Sequence, residues 1–332
     1  MRRFRLRCLF FLPALFSLLV SLLVAAMPFG ALAQTYPSRP LHVVVPFPPG
    51  GPTDVLGRVL AQGLSEALGQ PAVVDNRVGA AGNIGIEQAA KAAPDGHTLA
   101  IVPLGNIAVN PTLFPTLPYK ASDLAPVAML ATVDNVLVVN AAVPARSLRE
   151  LQALAAQKPD ALSFASPGAG SQAHLAGELL ALQSGVQLLH VPYKGIGPAL
   201  NDLLGGQVSM MFAQMSSVLP HLQNGKLRAL GVASLKRSPV MPDVPTLAEQ
   251  GLARFEAVSW YALMVPAGTP RPVIDRLNAE TTRLFARPEL KDKLAALGMT
   301  PAAGKPSDLA ATIQAETVRW AEVIRQKNIK PE

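Results

Sequence analysis

LHVVVPFPPGGPTDVLGRVLAQGLSEALG, residues 41–69, carries a strand, a turn and a helix with almost nothing between them. Residues 42–47 are a short apolar run of buried-strand type. From about Thr53 the apolar residues Val55, Leu56, Val59, Leu60, Leu64 and Leu68 recur at helical spacing. Pro48, Pro49, Gly50 and Gly51 fix the backbone and remove side chains just where the strand hands over to the helix N-terminus. Backbone N–H groups and the positive end of the helix dipole then point outward together, which makes a cradle for an anion. No Gly-Lys-Ser/Thr follows and there is no G-x-G-x-x-G, so the cradle suits a carboxylate better than a nucleotide phosphate.

The chain repeats this arrangement. LSFASPGAGSQAHLAGELLALQSG, residues 162–185, is again strand, Pro-Gly-x-Gly turn and helix, with Ser171 in the place of Thr53. Leu175, Leu179, Leu180 and Leu182 form its apolar face. Two cradles predict two similar half-molecules. In doubly wound sheets ligands lie beyond the carboxyl ends of the strands, so two such halves facing each other would trap one small anion between two helix N-termini.

Residues 1–33 read as a cleavable export signal: Arg2, Arg3, Arg5 and Arg7, an apolar run over 9–27, then Ala31-Leu32-Ala33 before Gln34. The expected mature protein is therefore periplasmic and begins near Gln34. Cys8 is the single cysteine and lies inside this segment, so the mature chain has no thiol or disulfide chemistry. The signal also takes four of the 29 Lys and Arg, leaving 25 against 22 Asp and Glu, a net charge of +3. So small an excess, without a basic run, implies neither nucleic acid nor anionic lipid as a partner.

The remaining 299 residues (332 less 33) suit two α/β domains. Strands are expected at 71–75, 98–103, 188–191, 208–212 and 228–233, and helices at 148–157, 197–204, 218–224, 271–286 and 307–327. Apolar runs within 127–139 carry the chain to the second half, and 257–265 brings it back. One domain is thus built from both ends: 34–135 with 262–332, the other being 136–261, and the crossing strands form a hinge.

Asp54 and Arg58, four residues apart on the first helix, have a structural pairing role, whereas the hydroxyls of Thr53 and Ser171 are placed to donate to an anion. His174 follows Ser171 by three residues but has no orienting acid and no G-x-S-x-G elbow, so it reads as a helix-face or cleft-rim residue. His42, His97, His190 and His221 lack metal spacing, and neither a metal nor a cofactor is expected. Tyr193 and Lys194 end a strand that should face the cleft. Asn106, Gln214 and Ser216 are polar at strand ends, available either to a ligand or to loop backbone. Trp260, on the returning strand, reads as core, with walling of the pocket as the lesser alternative.

PFPPGGPTD (46–54), VVDNRVGAAGNIG (73–85), APDGHTL (93–99), HVPYKG (190–195), LLGGQV (203–208) and DVPTLAEQG (243–251) together resemble the Bug, or TctC-like, extracytoplasmic solute receptors of tripartite tricarboxylate transporters. The resemblance covers essentially the whole mature chain. It implies a two-domain α/β periplasmic binding protein that closes like a flytrap, working with the membrane subunits of such a transporter and holding a small carboxylate by backbone amides of the two cradles and ordered water. The expected contact set is Phe47, Pro49, Gly50, Gly51 and Thr53 from the first turn and Ser166, Gly168, Ala169, Gly170 and Ser171 from the second, with Asn106, Tyr193 and Gln214 from strand ends. Gln214 stands where many relatives carry Asp, and Gly105-Asn106 stands in a loop that is often Thr/Ser-rich; both bear on ligand identity. A monomeric receptor without catalytic residues is expected. The competing readings are a sensor feeding a membrane kinase, and a hydrolase using Ser171 and His174, which lacks an acid.

Overall fold

The computed structural model describes residues 36–158 and 162–331; the expected signal segment, with its arginines, Cys8 and the 31–33 site, lies outside the described residues. Two curled sheets define two lobes. Among the described residues, the first has six strands and the second five. In the first, β1 (Leu41–Val45) runs parallel to both β2 (Ala72–Asn76) and β3 (Thr98–Pro103), as consecutive βα units dictate. β10 (Ser259–Pro266) joins antiparallel between β3 and β4 (Leu124–Val133), and the two-residue β11 (Thr300–Pro301) closes the edge. In the second lobe, β6 (Ser163–Ser166) is parallel to β7 (Leu189–Pro192) and β8 (Met210–Gln214), while β5 (Asn135–Asn140) is antiparallel to β8 and β9 (Leu227–Val232).

The first helix shows how the sequence enforces close layers. α1 (Pro52–Leu68) begins with proline at its first position, where the missing N–H costs nothing, and ends on left-handed Gly69. Leu56, Leu60 and Leu64 are wholly buried, each worth roughly 1.5–3 kcal/mol of apolar burial. Gly57 lets the helix sit almost on the strand: a Cβ there would come within 2.6 Å of the Val45 side chain.

Only Asp134 separates β4 from β5, so the chain changes sheets in a single residue. It returns between β9 and β10. Asn135 ties the two crossings together, its Nδ2 donating to the Ala257 carbonyl at 2.6 Å and to Ser259 Oγ at 3.3 Å. Burial pushes the Asp134 carboxyl above its usual value, against the opposing hydrogen bonds of Ser238 and Ser234.

The remaining helices are α2 (Asn83–Ala90), α3 (Asn110–Leu113), α4 (Leu148–Gln157), α5 (Gln172–Ser184), α6 (Ile196–Leu204), α7 (Met215–Gln223), α8 (Arg271–Phe285), α9 (Pro288–Ala296) and α10 (Pro306–Gln326). α10 packs against β4 and reaches across to α5. Its Trp320 is fully buried and donates to Glu316 Oε2, and Lys327, which caps it, lies 3.0 Å from Glu178 on α5. Where the sequence suggests a simple strand-to-loop transition at 104–107, the chain instead forms a π-helical turn, Gly105–Val109, running into the one-turn α3. Neither element is long enough to show a period. α9 is likewise absent from the sequence reading, being nine residues with only Leu290 and Leu294 buried.

Candidate functional site

The residues between β1 and α1 form a turn whose polar groups are largely committed. Gly50 is left-handed, with φ of 91°, and its N–H donates to Asp54 Oδ2 at 3.0 Å. The same oxygen accepts from Arg58 Nε at 2.8 Å, while Asp54 Oδ1 accepts from Asn76 Nδ2, which also donates to the Phe47 carbonyl. Asp54 is buried, which alone would raise its carboxyl; the bonds from Arg58, Gly50 and Asn76 overcome this and bring it down to about 2. The structural role expected of the Asp54–Arg58 pair is thus realised, and Asp54 fixes the turn as well. Gly51 has an ordinary φ of −81°, and a Cβ on it would meet only the Pro48 carbonyl at 4.0 Å. A side chain at Gly51 would therefore act by filling space, not by straining the backbone.

The turn between β6 and α5 is built differently. Gly168 and Gly170 are left-handed, with φ of 140° and 72°. Ser171 caps α5: its Oγ accepts from the His174 N–H at 3.4 Å and donates to the Gly168 carbonyl at 2.7 Å. Its hydroxyl hydrogen is thereby used within the turn. The Gly170 N–H donates to His174 Nδ1 at 3.0 Å, so His174 carries its proton on Nε2, 3.7 Å from Glu178 Oε1. The His174 ring stacks on that of His190, with centroids 3.6 Å apart and planes 7° from parallel. His190 Nε2 in turn lies 2.7 Å from Oγ of the fully buried Ser166. Burial first, then the neighbouring His174, depresses His190 to about 4. Burial alone would raise Glu178, yet His174 and Lys327 hold it below the usual carboxylate range.

Both turns border one cavity of about 590 Å³. The first two backbone N–H groups of each helix have no carbonyl one turn back to pair with, which leaves Thr53 and Asp54 on α1 and Gln172 and Ala173 on α5. Thr53, Gln172 and Ala173 all line the cavity, so two positive helix ends converge on it. The Thr53 side chain is buried and makes no hydrogen bond with another described residue.

Of the residues singled out from sequence, Phe47, Pro49, Gly51, Thr53, Gly170, Ser171 and Gln214 line this cavity. Gly50, Asn106, Ser166, Gly168, Ala169 and Tyr193 lie off its wall. Asn106 is buried and donates to the Ala81 carbonyl and Asn83 Oδ1, in a network that also takes in Asn110 and Tyr119. It holds the π turn against the 79–83 loop. Tyr193 donates to Asp202 at 2.8 Å. Gln214 hydrogen-bonds Tyr261, whose hydroxyl burial pushes up. The wall also contains Asn135, Gln172, Ile196, Phe212, Ser259, Trp260 and Tyr261. Apart from Trp260, the sequence reading did not single these out, although residues 135 and 259–261 sit on the two crossings, which must run past the base of any interlobe cleft.

The sequence pattern of the tripartite tricarboxylate transporter family receptors matches residues 56–329. The chain belongs to that receptor family. Protein BugT of Bordetella pertussis is 44% identical over 300 residues, covering 90% of this chain and 92% of BugT. Among solved structures, R. palustris Rpa4515 with adipate has a TM-score of 0.76 at 36% identity, covering 90% of this chain and all of that one. MatC from Rhodopseudomonas palustris with bound malate has a TM-score of 0.71 at 36% identity, covering 87% of this chain and all of MatC. A TctC-type receptor is a solute-binding protein and not an enzyme. Consistent with this, the Ser171 hydroxyl does not meet the His174 ring, and the Ser166–His190 pair lies off the cavity wall. Among the described residues, no helix is long and apolar enough to cross a membrane.

Proposed function

We propose that this receptor acts in the periplasm, capturing one small carboxylate between its lobes and delivering it to the membrane subunits of a tripartite tricarboxylate transporter. The observation that carries this reading is the convergence of the N-termini of α1 and α5 on one cavity, which offers an anion dipole ends and amides from both lobes at once. The adipate and malate bound by two similar receptors support the ligand class. The two domains divide at the crossings, Asp134 and the segment before Ser259, within a few residues of the bounds expected from sequence at 135/136 and 261/262, and these crossings act as the hinge. The cradle contacts come from the turn preceding α1 and the turn preceding α5, and the receptor works as a monomer.

Thermal-shift screening of organic acids and neutral sugars tests the assignment. A carboxylate at about 100 times its dissociation constant should add roughly 2.7 kcal/mol of stability. A response to neutral sugars and to no carboxylate would refute it. Mass spectrometry of the ligand retained through native purification identifies the acid.

A further inference from the structure

The two cradles are held by the same arrangement at the same spacing. In the first, the Gly50 N–H donates to Asp54, four residues on, and Asp54 is fixed in turn by Arg58, four further. In the second, the Gly170 N–H donates to His174 Nδ1 at 3.0 Å, and Glu178, four further, faces the other ring nitrogen at 3.7 Å. Each glycine is left-handed and each accepting side chain is buried. The far ends of the two chains differ. Arg58 is more than half exposed and its ion pair stays within α1, whereas Glu178 is paired across the lobes, at 3.0 Å, with Lys327 at the end of α10.

The Gly170 bond decides where the second cradle points. The N–H groups of Gly168 and Ser171 are taken within the turn, by Ser166 Oγ at 3.3 Å and by the Gly168 carbonyl at 3.2 Å. The Gln172 and Ala173 N–H groups, which have no carbonyl one turn back, follow directly and border the cavity. Their direction therefore depends on how Gly170 is turned. The His174 ring that holds Gly170 has little freedom, since it stacks on His190 and lies beside Phe164, with centroids 3.6 and 6.1 Å away. With Nδ1 accepting, its proton sits on Nε2, the arrangement that the Glu178 carboxylate favours.

We propose that His174 is the positioning residue of the second cradle, and that Lys327, acting through Glu178, makes its setting depend on docking of the first lobe. This rests on the carboxylate reading of the site and deepens it: the Gln172 and Ala173 amides are aimed at the anion while the Gly170 N–H stays on His174, and the first lobe reaches that bond along α5 as well as across the cavity. The first cradle, whose chain ends on an exposed arginine, is set within its own lobe.

Calorimetry with adipate and malate, together with amide hydrogen exchange over residues 168–171, tests this on the full mature chain, with circular dichroism confirming the fold of each variant. His174→Asn puts a carboxamide oxygen close to where Nδ1 lies and keeps the acceptor. His174→Leu keeps the bulk against His190 and Phe164 but cannot accept, and both variants lose the contact with Glu178. Whichever of the two acids the wild type binds should bind at least about tenfold more weakly to His174→Leu, yet within about threefold of wild type to His174→Asn. Exchange over 168–171 should quicken more in the leucine variant than in the asparagine one. A role in packing alone gives the reverse order, since leucine fills the site better than asparagine. Lys327→Met should quicken the same exchange in the wild type and add nothing to it in His174→Leu, because it acts through His174. His174→Leu binding as tightly as His174→Asn, or leaving the exchange unchanged, would overturn the inference, and so would unchanged exchange in a folded Lys327→Met. If the wild type binds neither acid, hydrogen exchange, which needs no ligand, still decides the role of His174; if it binds no carboxylate at all, the failure belongs to the carboxylate reading itself.

Discussion

Protonation of His190 should erode the stability of this receptor in mildly acidic conditions. The ring lies against Phe164 and His174, with centroids 4.9 and 3.6 Å away, and its Nε2 meets Ser166. Folding lowers it from 6.5 to about 4. A depressed histidine favours the neutral form in the folded state. Its contribution is therefore fully present above the unfolded value of 6.5 and is lost as pH falls toward about 4. A shift of this size corresponds to about 3 kcal/mol at about 1.36 kcal/mol per unit, and solvent reaching the partly exposed ring screens it to roughly 2. About half of that should disappear between pH 7 and 5. Urea unfolding at pH 7, 6 and 5 on the wild type and on His190→Gln measures it. The wild type should lose about 1 kcal/mol more than the variant over that interval, because Gln keeps a polar group at Ser166 but cannot charge. Parallel losses in the two proteins would refute the reasoning. So would a wild type that gains on the variant, since that is the sign expected of a raised histidine.

Three further perturbations probe the same frame. Lys327→Met leaves the partly buried Glu178 with only His174 as a partner, so it should cost about 2 kcal/mol in urea unfolding; because the pair joins α10 to α5, ligand affinity by calorimetry should fall as well. Gly170→Ala forces a left-handed alanine and puts its Cβ 2.1 Å from Leu113 Cδ2 on α3, so calorimetry should show at least about tenfold weaker binding. Asp54→Asn should destabilise by about 2 kcal/mol at pH 7, with the deficit narrowing as pH falls below about 4, because the folded carboxylate ionises near 2 against 3.8 when free; denaturation at pH 7 and 3 checks the sign.

Much of this architecture is written locally. The strand-turn-helix at 41–69 announces itself through period and proline, and Ser147 before α4 or Gly185 after α5 mark helix ends that the structure keeps. The site is less legible. Nothing local reveals that the Gly50 and Gly170 amides are taken by Asp54 and His174, because each bond depends on a side chain four residues downstream folding back over the turn. The apolar wall is assembled from Phe47, Phe212 and Trp260, which share no sequence neighbourhood and meet only once both sheets are in place. Asn106 looks the same in sequence whether it reads a ligand or, as found, bonds the Ala81 carbonyl 25 residues away.

In the proposed mechanism the carboxylate is held by backbone at both cradles rather than by a basic side chain. Calorimetry with one bound acid on Gly51→Asp, Gly168→Asp, Arg58→Ala and Lys194→Ala tests it most directly. Gly51→Asp fills the open space before α1 with a second negative charge, and Gly168→Asp, although Gly168 lies off the cavity wall, distorts the turn that presents Gly170 and Ser171 by forcing an aspartate to a left-handed φ of 140°. Both should abolish binding in proteins that remain folded by circular dichroism. The exposed cations should cost no more than about fivefold. Loss of binding in Arg58→Ala or Lys194→Ala, with binding retained in Gly168→Asp, would mean a salt-bridge pocket and would contradict the account.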